Sequence, residues 1–186
     1  MIRPAHLLPV VLGAGAVLSS CGSAAPSPLE RQRMEEQAAA AARDAQDAPT
    51  VTLLADGIAF GETKVPFSTQ QDVAIETLQQ AIGLPSNLSR PADCGAGELF
   101  VASYDSGLVL NFRQDAFAGW FYRGEADEAA LAGGVGTGTP VADLGPAYRP
   151  IESTLDGEFS YGDAIGGFAD QGRIGALYAG INCFAR

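Results

Sequence analysis

The sequence predicts an α+β fold: two helix-plus-antiparallel-meander repeats forming a curved sheet with helices on one face, preceded by a signal peptide and a helical tether. Three observations predict it. Ala74, Ile75, Leu78, Ala81 and Ile82 recur at helical spacing. After Cys94 the period shortens to that of strands, with apolar runs separated by two or three polar residues. The same order of helix start and apolar runs then returns towards the C-terminus.

The elements follow in chain order. Met1-Ile2-Arg3 is a positive start, and Leu7 to Leu18 is an apolar run of signal-peptide length. Interrupted by Pro9, Gly13 and Gly15, that run is too short to span a bilayer as a helix. It closes on Leu18-Ser19-Ser20-Cys21, which resembles the signal of bacterial lipoproteins. That resemblance implies cleavage after residue 20, acylation of Cys21 and attachment to a membrane through the lipid. Gly22, a residue other than Asp, implies sorting to the outer membrane, facing the periplasm.

Residues 21–49 read as a flexible and then helical tether. Ser27-Pro28-Leu29-Glu30 combines a serine cap, a proline at the first helical position and a glutamate that completes a capping box. The Ala, Glu, Gln and Arg that follow to about Gln46 favour a helix, but they carry no continuous apolar stripe. The expectation is a solvated spacer, ended by Pro49; a partner-docking helix is the alternative.

Residues 50–186 form one domain, long enough to bury about two-thirds of its unfolded surface. Thr50 to Leu54 is its first strand. A helix follows over residues 69–82, with Ser68 and Gln71 as capping box and Gly83 and Pro85 as its stop. Glu98 to Tyr104, Leu108 to Phe112 and Phe117 to Arg123 make a meander through turns at Asp105-Ser106-Gly107 and Gln114-Asp115. Thr139-Pro140-Val141 opens a second, short helix. Gly157-Glu158-Phe159, Phe168 and Arg173 to Tyr178 then echo the first meander, giving repeats over 57–124 and 133–183.

Charge and residue inventory exclude most chemistries. The full chain has 11 basic and 22 acidic side chains and a formal net charge of −11. Such a chain repels phosphate, so no nucleic-acid partner is expected. Its single histidine, His6, lies in the signal, which leaves no Ser-His-Asp or Cys-His pair and no imidazole for zinc. No cofactor or metal is expected, and the chain reads as non-enzymatic. Glu98, Asp105, Glu158 and Asp163 are the carboxylates a cell-wall hydrolase would need, but acidic residues near strand ends are usually just solvated, and catalysis by them is disfavoured. Gly180-Ile181-Asn182-Cys183 resembles the Asn-Cys segment of semialdehyde dehydrogenases; without histidine or a βαβ nucleotide loop, dehydrogenase activity is disfavoured.

Once Cys21 is assigned to lipid, Cys94 and Cys183 remain, and in an oxidising compartment an even remainder suggests one disulfide. Two separate buried thiols are the alternative. Tyr104, Trp120, Tyr122 and Tyr178 are candidate binding residues on a sheet face or rim, against the alternative that large aromatics simply fill the core.

Asp56-Gly57-Ile58-Ala59-Phe60, Leu78 to Pro85, Cys94-Gly95-Ala96-Gly97, Gly107 to Phe112, Phe117 to Trp120 and Ala179 to Cys183 together resemble an uncharacterised family of small bacterial lipoproteins. The two-repeat plan is similar to the β-lactamase inhibitor protein fold and to the small lipoprotein of the outer-membrane barrel assembly machinery. The resemblance implies a protein-binding, assembly or inhibitor module with an unknown envelope protein as partner; a small-ligand-binding lipoprotein is the alternative. The inhibitor fold carries a disulfide in each repeat, whereas only one is possible here.

Overall fold

A computed structural model describes residues 27–46 and 51–184, with α1 (Pro28–Gln46) forming most of the first described segment. Its N-terminus closes as the sequence expects. The Ser27 amide donates to Glu30 Oε2 at 2.7 Å, and the Glu30 amide donates to Ser27 Oγ at 3.3 Å. This reciprocal bonding satisfies two donors that a helix start leaves open, and it holds the Glu30 carboxyl below its ordinary pKa. Residues 28–37 of α1 are exposed, including Leu29 and Met34. The signal, Cys21 and Pro49 lie outside the described residues.

The chain splits into two compact units, one ending at Ala42 and the other running from Arg43 to Arg186. The second unit is α+β. In chain order its elements are β1 (Val51–Leu54), β2 (Gly57–Phe60), β3 (Thr63–Pro66), α2 (Gln71–Ile82), β4 (Asn87–Ser89), β5 (Phe100–Ser103), β6 (Leu108–Arg113), β7 (Ala116–Tyr122), β8 (Ala129–Leu131), a 3₁₀ segment (Val141–Ala147), β9 (Tyr148–Pro150), β10 (Glu158–Tyr161), β11 (Ile165–Asp170) and β12 (Arg173–Gly180). The described residues thus hold three helical segments and twelve strands in two open sheets, and no helix among them is long and apolar enough to cross a membrane.

The larger sheet has the order β4-β5-β6-β7-β12-β11-β10-β9, with every neighbouring pair antiparallel. The Gln114-Asp115 turn of the β6–β7 hairpin has φ of 51° and 60°, the two left-handed residues that a tight hairpin matching strand twist requires. Register sorts the sheet into two faces, because side chains alternate along each strand. Leu88, Ala102, Leu110, Trp120, Ala179, Ile165, Tyr161 and Tyr148 make one row across all eight strands, on the inner face. The adjacent row, Asn87, Ser103, Val109, Phe121, Tyr178, Gly166, Ser160 and Arg149, faces the other way.

The inner face is covered by α2, through buried Ala74 and Leu78, and by a second sheet in the order β3-β2-β1-β8. Helices alone were expected there. Sequence reading missed this sheet because β2, β3 and β8 are four residues or shorter. The alanines of β8 also have weak strand propensity. Val51, Leu53, Ile58 and Val65 bring its apolar face into the common core. The Trp120 indole Nε1 donates to the Leu54 carbonyl at 2.8 Å, so the largest core side chain also satisfies a polar group of the second sheet.

α2 begins at Gln71 rather than 69, and Ser68 does not cap it. Ser68 sits at φ 73° instead, and the Ser68 amide donates to the Phe117 carbonyl while the Phe117 amide donates to the Thr69 carbonyl, both at 2.7 Å. Backbone bonds to β7 therefore set this helix start, and a side-chain pattern cannot reveal them.

Truncating Trp120 to Ala should cost about 3–5 kcal/mol, as for large aromatic deletions in a packed core. Leu88→Ala, at a site 54 % exposed, should change stability by less than about 1 kcal/mol. Equilibrium urea unfolding of both variants checks the contrast.

Candidate functional site

The outer face of the eight-stranded sheet is where the chain concentrates its unusual features. β12 ends at Gly180, and residues 181–184 then cross this face as a strap. Four contacts in succession hold it. The Ile181 amide donates to the Ala118 carbonyl at 2.8 Å. The Asn111 amide Nδ2 donates to Asn182 Oδ1 at 2.8 Å, and Asn182 Nδ2 donates to the Ala179 carbonyl at 3.1 Å. Cys183 meets Cys94 with their Cα atoms 5.1 Å apart, inside the span a disulfide bridges. Phe184 packs its ring among the outer aromatics. Gly119 makes the crossing possible, since a Cβ there would occupy the position of the Ile181 backbone.

The outer aromatics are Phe121, Phe168, Tyr178 and Phe184, all half-buried. The Phe184 ring lies 4.9 Å from Tyr178, 5.4 Å from Phe168 and 6.1 Å from Phe121, each in an edge-to-face arrangement. That geometry suits the quadrupoles of aromatic rings. Gly166 leaves the space over which the Tyr178 ring lies, and the Tyr178 hydroxyl donates to Glu158 Oε1 at 2.6 Å. Glu158 itself is 3 % exposed, so this bond fixes the ring against a buried carboxyl.

Two open grooves flank Phe184. One, of about 490 Å³, is walled by Tyr178, Phe184, Asn182, Gly180 and the Gly95-Ala96 loop. The other, of about 410 Å³, is lined chiefly by Val101, Val109, Phe121 and Phe184. A third groove of about 480 Å³ lies elsewhere, with Arg90, Glu98, Arg113 and Asp115 around Phe100 and Phe112.

Of the sequence-predicted binding residues, only Tyr178 belongs to this face. Trp120 and Tyr122 are 0 % exposed and Tyr104 is 5 %, all within the core cluster. They present no surface to a partner: Trp120 and Tyr122 share the inward side of β7, and Tyr104 belongs to the same buried cluster. Burial pushes the Tyr104 phenol up to about 12. Tyr122 is likewise raised to about 12, first by burial and then by the acidic Glu128, Asp127 and Glu125. The Tyr122 hydroxyl donates to the Glu125 carbonyl. Phe168, Phe184 and the Asn111–Asn182 pair escaped sequence reading as site residues. Period-two alternation would have put Phe121 opposite Trp120, but nothing local marks Phe184.

The candidate carboxylates do not assemble. Glu98 borders the third groove beside β5, while Glu158 is buried on β10. Five strand spacings separate β5 from β10 in the sheet order, or about 24 Å along the sheet at 4.8 Å each. Paired glycosidase carboxylates stand within about 10 Å. Asp105 and Asp163 are exposed turn residues. Among the described residues no group of three or more His, Cys, Asp or Glu could hold a metal. No protein-family model matches the chain, and no curated protein or solved structure matches it either.

Two outcomes follow from this geometry. Asn111→Ala removes a buried amide bond and should cost about 1–2 kcal/mol. Amide exchange at Ile181 should accelerate while exchange at Leu110 stays slow, as read by NMR. For the tyrosines, the folded pKa lies above the ordinary value of 10. Their contribution to stability is then complete below pH 10 and lost as pH rises from 10 to about 12, because the unfolded chain releases protons that the folded chain retains. Alkaline unfolding followed by tyrosinate absorbance should show this window, and Tyr104→Phe should narrow the loss.

Proposed function

We propose that this chain is a non-catalytic, lipid-anchored envelope lipoprotein that binds another protein through the outer face of its eight-stranded sheet. The observation that carries the reading is the half-buried aromatic cluster around Phe184, open to grooves on either side, on the sheet face opposite α2. A sheet face with clustered aromatics and few charges has the composition of an interface core. The anchor rests on Leu18-Ser19-Ser20-Cys21 and its resemblance to lipoprotein signals, with Gly22 favouring the outer membrane. An oxidising compartment accords with the juxtaposed Cys94 and Cys183.

The two-repeat architecture belongs to the same proposal. In support, a helical segment precedes a four-stranded antiparallel meander twice, α2 before β4–β7 and the 3₁₀ segment before β9–β12, and the meanders meet at β7 and β12. A likeness to the β-lactamase inhibitor fold would suit a face used for protein recognition. The second sheet, β3-β2-β1-β8, is a departure from that plan.

Replacing Cys21 with Ser tests the anchor. Metabolically supplied labelled fatty acid should mark the wild-type chain and not the variant, and the variant should move from the membrane pellet to the soluble fraction. Labelling that persists in Cys21→Ser, or a wild-type chain recovered without lipid, contradicts the reading.

A further inference from the structure

We propose that the groove between Tyr178 and Phe184 receives a basic side chain, so that the partner segment seated on this face is a cationic peptide. This rests on the binding-module reading above and specifies the chemistry of its partner. The first argument is the geometry of the two rings. Their centroids are 4.9 Å apart and their planes are inclined at 69°, and both line the same groove. Two ring surfaces meeting at such an angle form a corner in which a lysine ammonium or arginine guanidinium meets aromatic π-density on more than one side. Tyr178 is held in place for this, because its hydroxyl is engaged by Glu158 at 2.6 Å and its ring covers Gly166.

The second argument is charge. The chain carries a net charge of −11, and a field of that sign concentrates cations at concave surfaces. Among the described residues no basic side chain lines this groove; Arg90 and Arg113 line the one near Phe100, from which Arg113 Nη2 donates to the Ala96 carbonyl at 3.2 Å. The Asn182 side chain and the turns at Gly95-Ala96 and Gly180 supply the remaining wall. Asp93, exposed, adjoins Cys94 on the same loop. The neighbouring groove across Phe184 is apolar, with Val101, Val109 and Phe121. A segment alternating basic and aliphatic residues therefore matches both sides of Phe184. A second copy of this chain is the poorer occupant, since two molecules of net charge −11 repel each other.

The test titrates the full-length chain, in neutral detergent, with acetylated and amidated Lys-Leu-Lys-Leu-Lys and with its Glu-Leu-Glu-Leu-Glu counterpart. Binding of the lysine peptide should saturate and perturb the ring resonances of Tyr178 and Phe184, and the glutamate peptide should not bind. Phe184→Ala should weaken binding about fivefold or more, and Phe184→Trp should restore it. Glu62→Gln, an exposed change on the β2–β3 turn of the other sheet, should leave it unaltered. Unchanged Trp120 emission in Phe184→Ala separates a lost contact from a lost fold. Equal binding by Phe184→Ala and wild type, equal binding of the two peptides, or no saturation would overturn the proposal. A concentration-dependent dimer that protects the Phe184 ring would overturn it too, in favour of a second copy. The fatty-acid labelling of Cys21 is independent of every one of these readouts.

Discussion

The antiparallel pairing of β7 with β12 is the constraint on which the rest of the domain depends. It joins two four-stranded meanders into one sheet, with Trp120 opposite Ala179 and Phe121 opposite Tyr178. Since strand side chains alternate, this single register decides which aromatics fill the core and which face outwards. The small Ala179 opposite Trp120 leaves room for the indole, which reaches the Leu54 carbonyl of the second sheet. Phe121 and Tyr178 are sent to the opposite face by the same register, beside Phe168 one strand further along.

That outward pair would be costly if simply left in water, because a large ring buried in place of being exposed is worth about 1.5–3 kcal/mol. The strap supplies the partial cover. Residues 181–184 follow β12 without a break, and Gly119, Asn111 and Cys94 each receive one of their contacts. In the chain-entropy model a bond across the 89 residues between Cys94 and Cys183 removes about 4–5 kcal/mol of freedom from the unfolded chain. Among the described residues the rings are packed on one another and still border two grooves. On the proposed reading, packing and recognition share the same side chains.

Legibility in the sequence tracked the range of the interactions. The capping box at Ser27 and Glu30, the apolar stripe of α2 and the Gln114-Asp115 hairpin are local, and each stands where residue patterns put it. β2, β3 and β8 are too short to build a period, and their burial depends on a core assembled from distant segments. The same holds for the site. Counting cysteines paired Cys94 with Cys183, but aromatic size alone left Trp120 and Tyr122 open between a binding face and the core. Alternation along β7 turns both inwards, and only tertiary packing identifies Phe184 and Asn182 as parts of the outer face.

Trp120 is the sole tryptophan of the chain, so its fluorescence reports the orientation of β7 directly. With the indole fully buried, emission from the native chain should be blue-shifted relative to the unfolded chain and resist quenching by acrylamide. Native emission matching that of the unfolded chain, with equal quenching, would mean that β7 faces the other way. Phe121 and Tyr178 would then be the core residues, and the outer aromatic face described for this domain would not exist.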